Sequence, residues 1–174
     1  SSGLPKAIVY NFQKILKRFS IFANPMVFFP VLKIDHFGGI NTILGILACG
    51  GSAIIEKKLN VHKVIDLVHK YKIQILPATP SFLRLMMLSP NFRKEKLKSL
   101  RMITYGTEVM PHSILEKIHS FLPFVKFKQT YGLSEIGVVN SRSESNFSTF
   151  IQLGGNGFEY KIKDNILWIK SDFR

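Results

Sequence analysis

"IQILPATPSFLRLMML", residues 73–88, sets an apolar run of strand length directly against the start of a helix. Ile73–Leu76 has the length and aliphatic content of a buried strand. Thr79 can then cap a helix with its side-chain oxygen, and Pro80 suits the first helical position, where a missing N–H costs nothing. Read outward from here, the same strand-then-helix unit recurs in both directions.

Toward the N-terminus, "AIVYNF" (7–12) reads as a strand, "QKILKRFSIF" (13–22) as a helix and "MVFFPVL" (26–32) as a second strand, which Pro30 argues against placing centrally. "GGINTILGILACGG" (38–51) is a short apolar helix bracketed by glycines, "SAII" (52–55) a brief strand, and Val61, Val64, Ile65 and Val68 mark one face of a further helix. Toward the C-terminus, "MITY" (102–105) is a strand. Ile114, Leu115, Ile118, Phe121 and Leu122 form the stripe of a helix after Pro111, and Val125–Thr130 is the next strand. Beyond Gly132 the pattern changes to a polar stretch, "SRSESNFST", then short strands "FIQL", "EYKIK" and "ILWIK" split by glycines and the turn "DN", with Trp168 expected in the core. The expected fold is therefore α/β: a doubly wound, mainly parallel sheet flanked by helices over 1–140, followed over 141–174 by the start of a β-rich, barrel-like subdomain.

The totals set limits on function. The chain has 174 residues, enough for one domain with a real core, and its 46% hydrophobic content with 15 Phe argues against disorder. Its longest apolar segment, Ile40–Cys49, falls short of the ~20 residues of a membrane span, so no transmembrane segment is expected. A single cysteine, Cys49, among apolar neighbours reads as a small buried side chain and fits a reducing cytoplasm. The net charge is +13, scattered over Lys14, Lys17, Arg18, Lys57, Lys58, Lys70 and Lys72, with a denser run at Arg93, Lys94, Lys96, Lys98 and Arg101. No nucleic-acid module or aromatic-basic repeat accompanies it, so a solvated surface is expected and nucleic acid is not. The pairs His62/His69 and His112/His119 lack carboxylate or Cys companions at metal-binding spacing and are expected on the surface.

In open parallel sheets ligands bind beyond the carboxyl ends of the strands. Two loops stand there: Gly106, Thr107, Glu108 after "MITY", and Tyr131, Gly132, Leu133, Ser134, Glu135 after "VKFKQT". Each pairs a glycine, which either turns the chain or admits a ligand to the backbone, with hydroxyl and carboxylate groups able to hold a nucleotide or a metal. At the front, Ser1, Ser2, Gly3 and Lys6 offer hydroxyls, backbone N–H groups and a cation to an anion, or else "SSG" is a tag remnant. This is not a Walker A loop, because a strand-like run, not a helix, follows Lys6.

These residues resemble the adenylate-forming enzymes: acyl-CoA synthetases, AMP-dependent ligases and the adenylation domains of peptide synthetases. "SSGLPKA" matches the second half of their phosphate loop, "DHFGG" their substrate-side His and aromatic pair, "YGTEVMP" their adenine-side loop and "QTYGLSE" their YGxTE motif, with Ser134 in place of Thr. "LGGNGFEYKIKDNILWIK" is similar to the family's strand-rich region.

The resemblance implies an ATP-dependent ligase that adenylates a small carboxylic acid, releases pyrophosphate, and passes the acyl group to coenzyme A or to the phosphopantetheine of a carrier protein. It implies that Glu135 holds Mg²⁺, Ser134 donates to the α-phosphate, Tyr131 and Gly132 flank adenine, and Gly106, Thr107 and Glu108 line its pocket. Ser1, Ser2, Gly3 and Lys6 would embrace pyrophosphate, and His36 would stand near the carboxylate, unless it is only a helix-entry residue. The resemblance also implies a central piece of the family's N-terminal domain, without the first subdomain or the C-terminal domain bearing the catalytic lysine, so that the chain alone would be inactive. A non-catalytic basic module binding nucleotides or polyanions is the alternative.

Overall fold

The unit at 73–88 forms as its residues dictate in the computed structural model, which describes residues 7–19, 24–155 and 157–172. Strand β3 (Ile75–Ala78) is buried throughout, and helix α4 (Pro80–Met87) follows with Thr79 as N-cap, its Oγ1 accepting the Phe82 N–H at 3.1 Å. The strand begins two residues later than its apolar run suggests and contains Pro77. Pro77 is tolerated because the neighbouring strand β1 has ended at that height: its register pair with β3 is Phe28↔Ile75.

The remaining units assemble beside it. Strand β1 (Val27–Phe28), helix α2 (Phe37–Ala48), strand β2 (Ser52–Ala53) and helix α3 (Val61–Tyr71) precede β3. After α4 come a short helix α5 (Lys94–Leu97), strand β4 (Met102–Tyr105), helix α6 (His112–Phe121) and strand β5 (Lys126–Gln129). All the sheet pairings are parallel and the strand order is β2-β1-β3-β4-β5, with helices as the connections. The main core lies between sheet and helices: Val64, Ile65 and Val68 of α3, Leu83 and Met86 of α4, Ile103 and Tyr105 of β4, and Leu115 and Ile118 of α6 are all within its buried cluster. The apolar stripes at i, i+3, i+4 spacing are the faces that bury there. Cys49 is buried, as expected.

Beyond β5 the chain makes three antiparallel pairs: β6 (Tyr131–Leu133) with β7 (Gly137–Val139), β8 (Ser141–Ser143) with β9 (Ile151–Leu153), and β10 (Phe158–Lys163) with β11 (Ile166–Ser171). The last hairpin turns at Asp164 and Asn165, both at positive φ (52° and 59°), as its two-residue "DN" loop requires. A second cluster of Ile15, Val139 and Phe158, with Tyr10, Phe37 and Tyr131 packed on it, ties this region to the front of the chain.

Three sequence expectations change, and one element was not foreseen. Residues 7–11 form no strand; Asn11 accepts the Lys14 N–H (3.1 Å) and starts helix α1 (Phe12–Leu16), which is far shorter than the expected helix. Pro30 does not keep its strand from a central place, because β1 ends before it and lies between β2 and β3. Trp168 is 54% exposed: it sits opposite Lys161, on the hairpin face away from Phe158, with the Lys161 ammonium 5.9 Å from its ring. Helix α5 arises inside a basic run because Leu97 reaches the core from it.

Candidate active site

Strand order β2-β1-β3-β4-β5 reverses direction between β1 and β3, since β1 leads outward to β2 and β3 leads the other way to β4 and β5. At such a switch point the loops beyond the two strands diverge and leave a crevice. A cavity of about 430 Å³ lies there, lined by Val31, Leu32, Lys33, Asp35 and His36 after β1, Thr79 and Phe82 after β3, Thr107 after β4, and Leu59. His36 and Thr107, 71 positions apart in sequence, thus share one wall-to-wall space. His36 is the N-cap of α2 in extended conformation, and its side chain makes no capping bond. Thr107 has φ +70°, a left-handed conformation that a β-branched residue rarely adopts.

The two loops singled out in the sequence are neighbours. Gly106 is buried against Thr130, where a Cβ would come within 2.4 Å of the Thr130 Oγ1, so only glycine allows the approach. Thr130 in turn donates its N–H to the Tyr105 carbonyl at 2.7 Å and lies 3.1 Å from it through Oγ1. Burial pushes the Tyr105 hydroxyl up to about 12. Glu108 turns onto helix α4, its Oε2 accepting from the Ser81 N–H (3.1 Å) and Oγ (2.6 Å).

Tyr131 and Gly132 are in β6, Gly132 opposite Val138, and Ser134 and Glu135 form the turn between β6 and β7. Tyr131 is half-buried against the second cluster. The hairpin is held from two sides. The Tyr10 hydroxyl donates to the Ser134 carbonyl, and an Arg18 Nη donates to the Val138 carbonyl. Arg18 also stands 5.3 Å over the Phe158 ring, and burial lowers its pKa from the ordinary value. Gly137 lies against Phe37, the residue after His36, where an added Cβ would come within 3.0 Å of that ring; the Tyr10 ring packs tilted against Phe37, 5.0 Å between centroids. The hairpin is therefore anchored next to the N-terminus of α2, although Ser134 and Glu135 do not line the cavity themselves.

Ser1, Ser2, Gly3 and Lys6 lie outside the described residues. Among the described residues no group of three His, Cys, Asp or Glu could hold a metal, and the ion pairs Lys63–Glu56, Lys96–Asp66 and Lys170–Glu159 leave Glu135 aside. The expected surface histidines are as read for His62, His69 and His112, while His119 is half-buried with its ring edge-on to Phe127 and Phe147. Sequence reasoning missed Leu59, Phe82 and Thr130. Thr130 carried a signal, standing between a strand end and a Tyr-Gly pair; Leu59 and Phe82 carried none beyond following strands. No helix among the described residues is long and apolar enough to cross a membrane.

Comparison with known proteins bears on the family and the fold. The family described as AMP-binding enzyme matches residues 1–163. A 4-coumarate–CoA ligase of Humulus lupulus is 26% identical over 152 residues, 81% of this chain and 28% of that protein. An indoleacetate–CoA ligase of Aromatoleum aromaticum is 28% identical over 106 residues, 60% of this chain and 20% of that protein. The chain thus spans between a fifth and little more than a quarter of the length of the curated relatives it matches. The amide bond synthetase McbA of Marinactinospora thermotolerans superposes with a TM-score of 0.79 at 17% identity over 99% of this chain and 39% of its own, and E. coli MenE with 0.72 at 18% over 99% and 38%. At these identities the structures show a shared fold. The match over 163 of its 174 positions places this chain in the AMP-binding enzyme family.

Proposed function

We propose that this chain is the nucleotide- and acid-binding centre of an AMP-forming acid–thiol ligase working in a reducing cytoplasm, with 1–140 as its α/β subdomain and 141–174 as the beginning of a β-rich one. The observation that carries the reading is the cavity at the β1/β3 switch point, which joins His36 to Thr107 beside the Gly106–Thr130 contact and the Ser134–Glu135 hairpin.

A carboxylate oxygen of the substrate attacks the α-phosphorus of ATP, the bond to the bridging oxygen breaks, and pyrophosphate leaves. A thiol of coenzyme A or of a carrier's phosphopantetheine then attacks the acyl carbon, losing its proton as AMP departs. His36 stands where the carboxylic acid enters, and the Ser134 hydroxyl donates to the α-phosphate oxygens as their charge rises. Gly106, Thr107 and Glu108 form the adenine side, with Tyr131 and Gly132 beside them, and Ser1, Ser2, Gly3 and Lys6 take the pyrophosphate. Glu135 fits Mg²⁺ as a lone carboxylate free of ion pairs, because that ion is held by one or two carboxylates plus substrate phosphates and not by a protein cage. Mg²⁺ would neutralise the phosphate oxygens.

Calorimetric titration with ATP·Mg tests this. Glu135→Ala is expected to weaken binding by about tenfold or more, in line with the loss of a charged metal contact. Equal affinity in the variant, together with indifferent binding of polyanions and a steep salt slope, would instead make the chain a non-catalytic polyanion module. A polypeptide of these 174 residues is expected to show no ATP–pyrophosphate exchange; robust exchange overturns that.

A further inference from the structure

Five of the chain's cations are gathered at the end of the sheet opposite the cavity. Helix α3 runs out through Lys70 and Tyr71 to Lys72, whose left-handed φ of 53° turns the chain into β3. The segment before β4 crosses directly beneath: the Ser99 hydroxyl lies 2.9 Å from the Ile73 carbonyl and 3.3 Å from that of Val68, and the Arg101 N–H donates to the Gln74 carbonyl at 2.8 Å. The Lys126 N–H then donates to the Arg101 carbonyl at 2.9 Å, which brings Phe124 and Lys126 alongside. Lys70, Lys72, Lys98, Arg101 and Lys126 therefore all lie at the amino ends of three adjacent strands or in the segments leading into them, a width of roughly 10 Å at normal strand spacing.

All five are exposed and none takes part in an ion pair among the described residues. The one carboxylate of α3, Asp66, is already engaged by Lys96 (2.6 Å) and Asn91 (3.2 Å). Two aromatic rings stand out of the same edge: Tyr71, 42% exposed with the Lys70 ammonium 5.0 Å over it, and Phe124, 48% exposed.

We propose that this edge is a docking surface for an anionic lipid bilayer. Unpaired cations gathered on one edge gain from the negative surface potential of a membrane, and aromatic rings set among them gain from the headgroup–acyl boundary. Phe124 decides between this and a nucleic-acid duplex, whose phosphates would match the cations but would leave an apolar ring nothing to enter. Docking by the amino ends of the strands leaves the cavity at the carboxyl ends facing water, open to ATP and a thiol. The proposal stands independently of the ligase reading, since it uses none of the cavity's residues.

Co-sedimentation with vesicles tests it, at about 0.1 M salt, where the screening length is about 10 Å. The full chain is expected to bind vesicles of phosphatidylcholine mixed with phosphatidylserine and not those of phosphatidylcholine alone. The triple variant K98Q/R101Q/K126Q should bind on the order of 100-fold less, at roughly fivefold per cation. F124S should lose roughly tenfold or more, the share of a buried ring. Unchanged thermal unfolding in these surface variants would exclude misfolding as the cause. Equal binding by parent and triple variant, equal binding to both vesicle types, or retention of a DNA duplex without any vesicle binding each overturns the proposal.

Discussion

Thr107 shows how a single residue can carry strain at a candidate site. Its φ of +70° crowds a β-branched side chain that lines the cavity. Such conformations cost of order 1–2 kcal/mol and persist where the surroundings demand them. Thr107→Asn, which tolerates this region, is expected to stabilise the protein by about 1 kcal/mol, raising Tm by about 2–4 °C, while weakening ATP·Mg binding. A Tm at or below that of the parent would remove the strain from the account. The glycine beside it was legible in sequence as a residue of special use; that its reason is Thr130 and not only a ligand was not, because the contact joins positions 24 apart through strand pairing.

At the scale of an element, helix α4 is held at its N-terminus by two acceptors from different parts of the chain. Thr79 satisfies the Phe82 N–H from within the helix signal, and Glu108 satisfies the Ser81 N–H from the next loop. The first was readable from "ATPS"; the second depends on β4 lying next to β3 in register. A carboxylate at a helix N-terminus is also favoured by the helix dipole. Glu108→Ala should therefore lower stability by about 1 kcal/mol, or about 2–4 °C in Tm, with Glu108→Gln closer to the parent because it keeps an acceptor. Thermal denaturation of both variants checks this, and an unaffected alanine variant would mean that solvent replaces Glu108 without cost. The short elements were the least legible: Asn11 shortened an expected strand to nothing by capping α1, and the β6–β7 hairpin was hidden inside a motif read for its chemistry.

At the scale of the whole molecule, the core sets a limit on pH. Tyr105, 1% exposed on inner strand β4, has its pKa raised by burial to about 12 from 10. The neutral form is the one that folding favours, so this contribution is complete below pH 10 and is lost as pH rises from 10 to 12. Two units correspond to roughly 2–3 kcal/mol. Tyr105→Phe should flatten the fall in urea midpoint between pH 10 and 12, and parallel curves for parent and variant would contradict the assignment. What the sequence determined by itself was local: the order of strands and longer helices from 61 to 129, with α5 missed, the capped start of α4, the "DN" turn and the motif residues, all of which follow from side-chain periodicity and backbone preference over a few positions. Only the tertiary structure decided which strand lies next to which. That neighbourhood put His36 and Thr107 on one cavity, turned Glu108 onto a helix, left Trp168 outside, and gathered five distant cations on one edge. The reason is physical: hydrogen-bonded pairing between parallel strands is set by burial of the whole apolar set at once, and no window of sequence contains that sum.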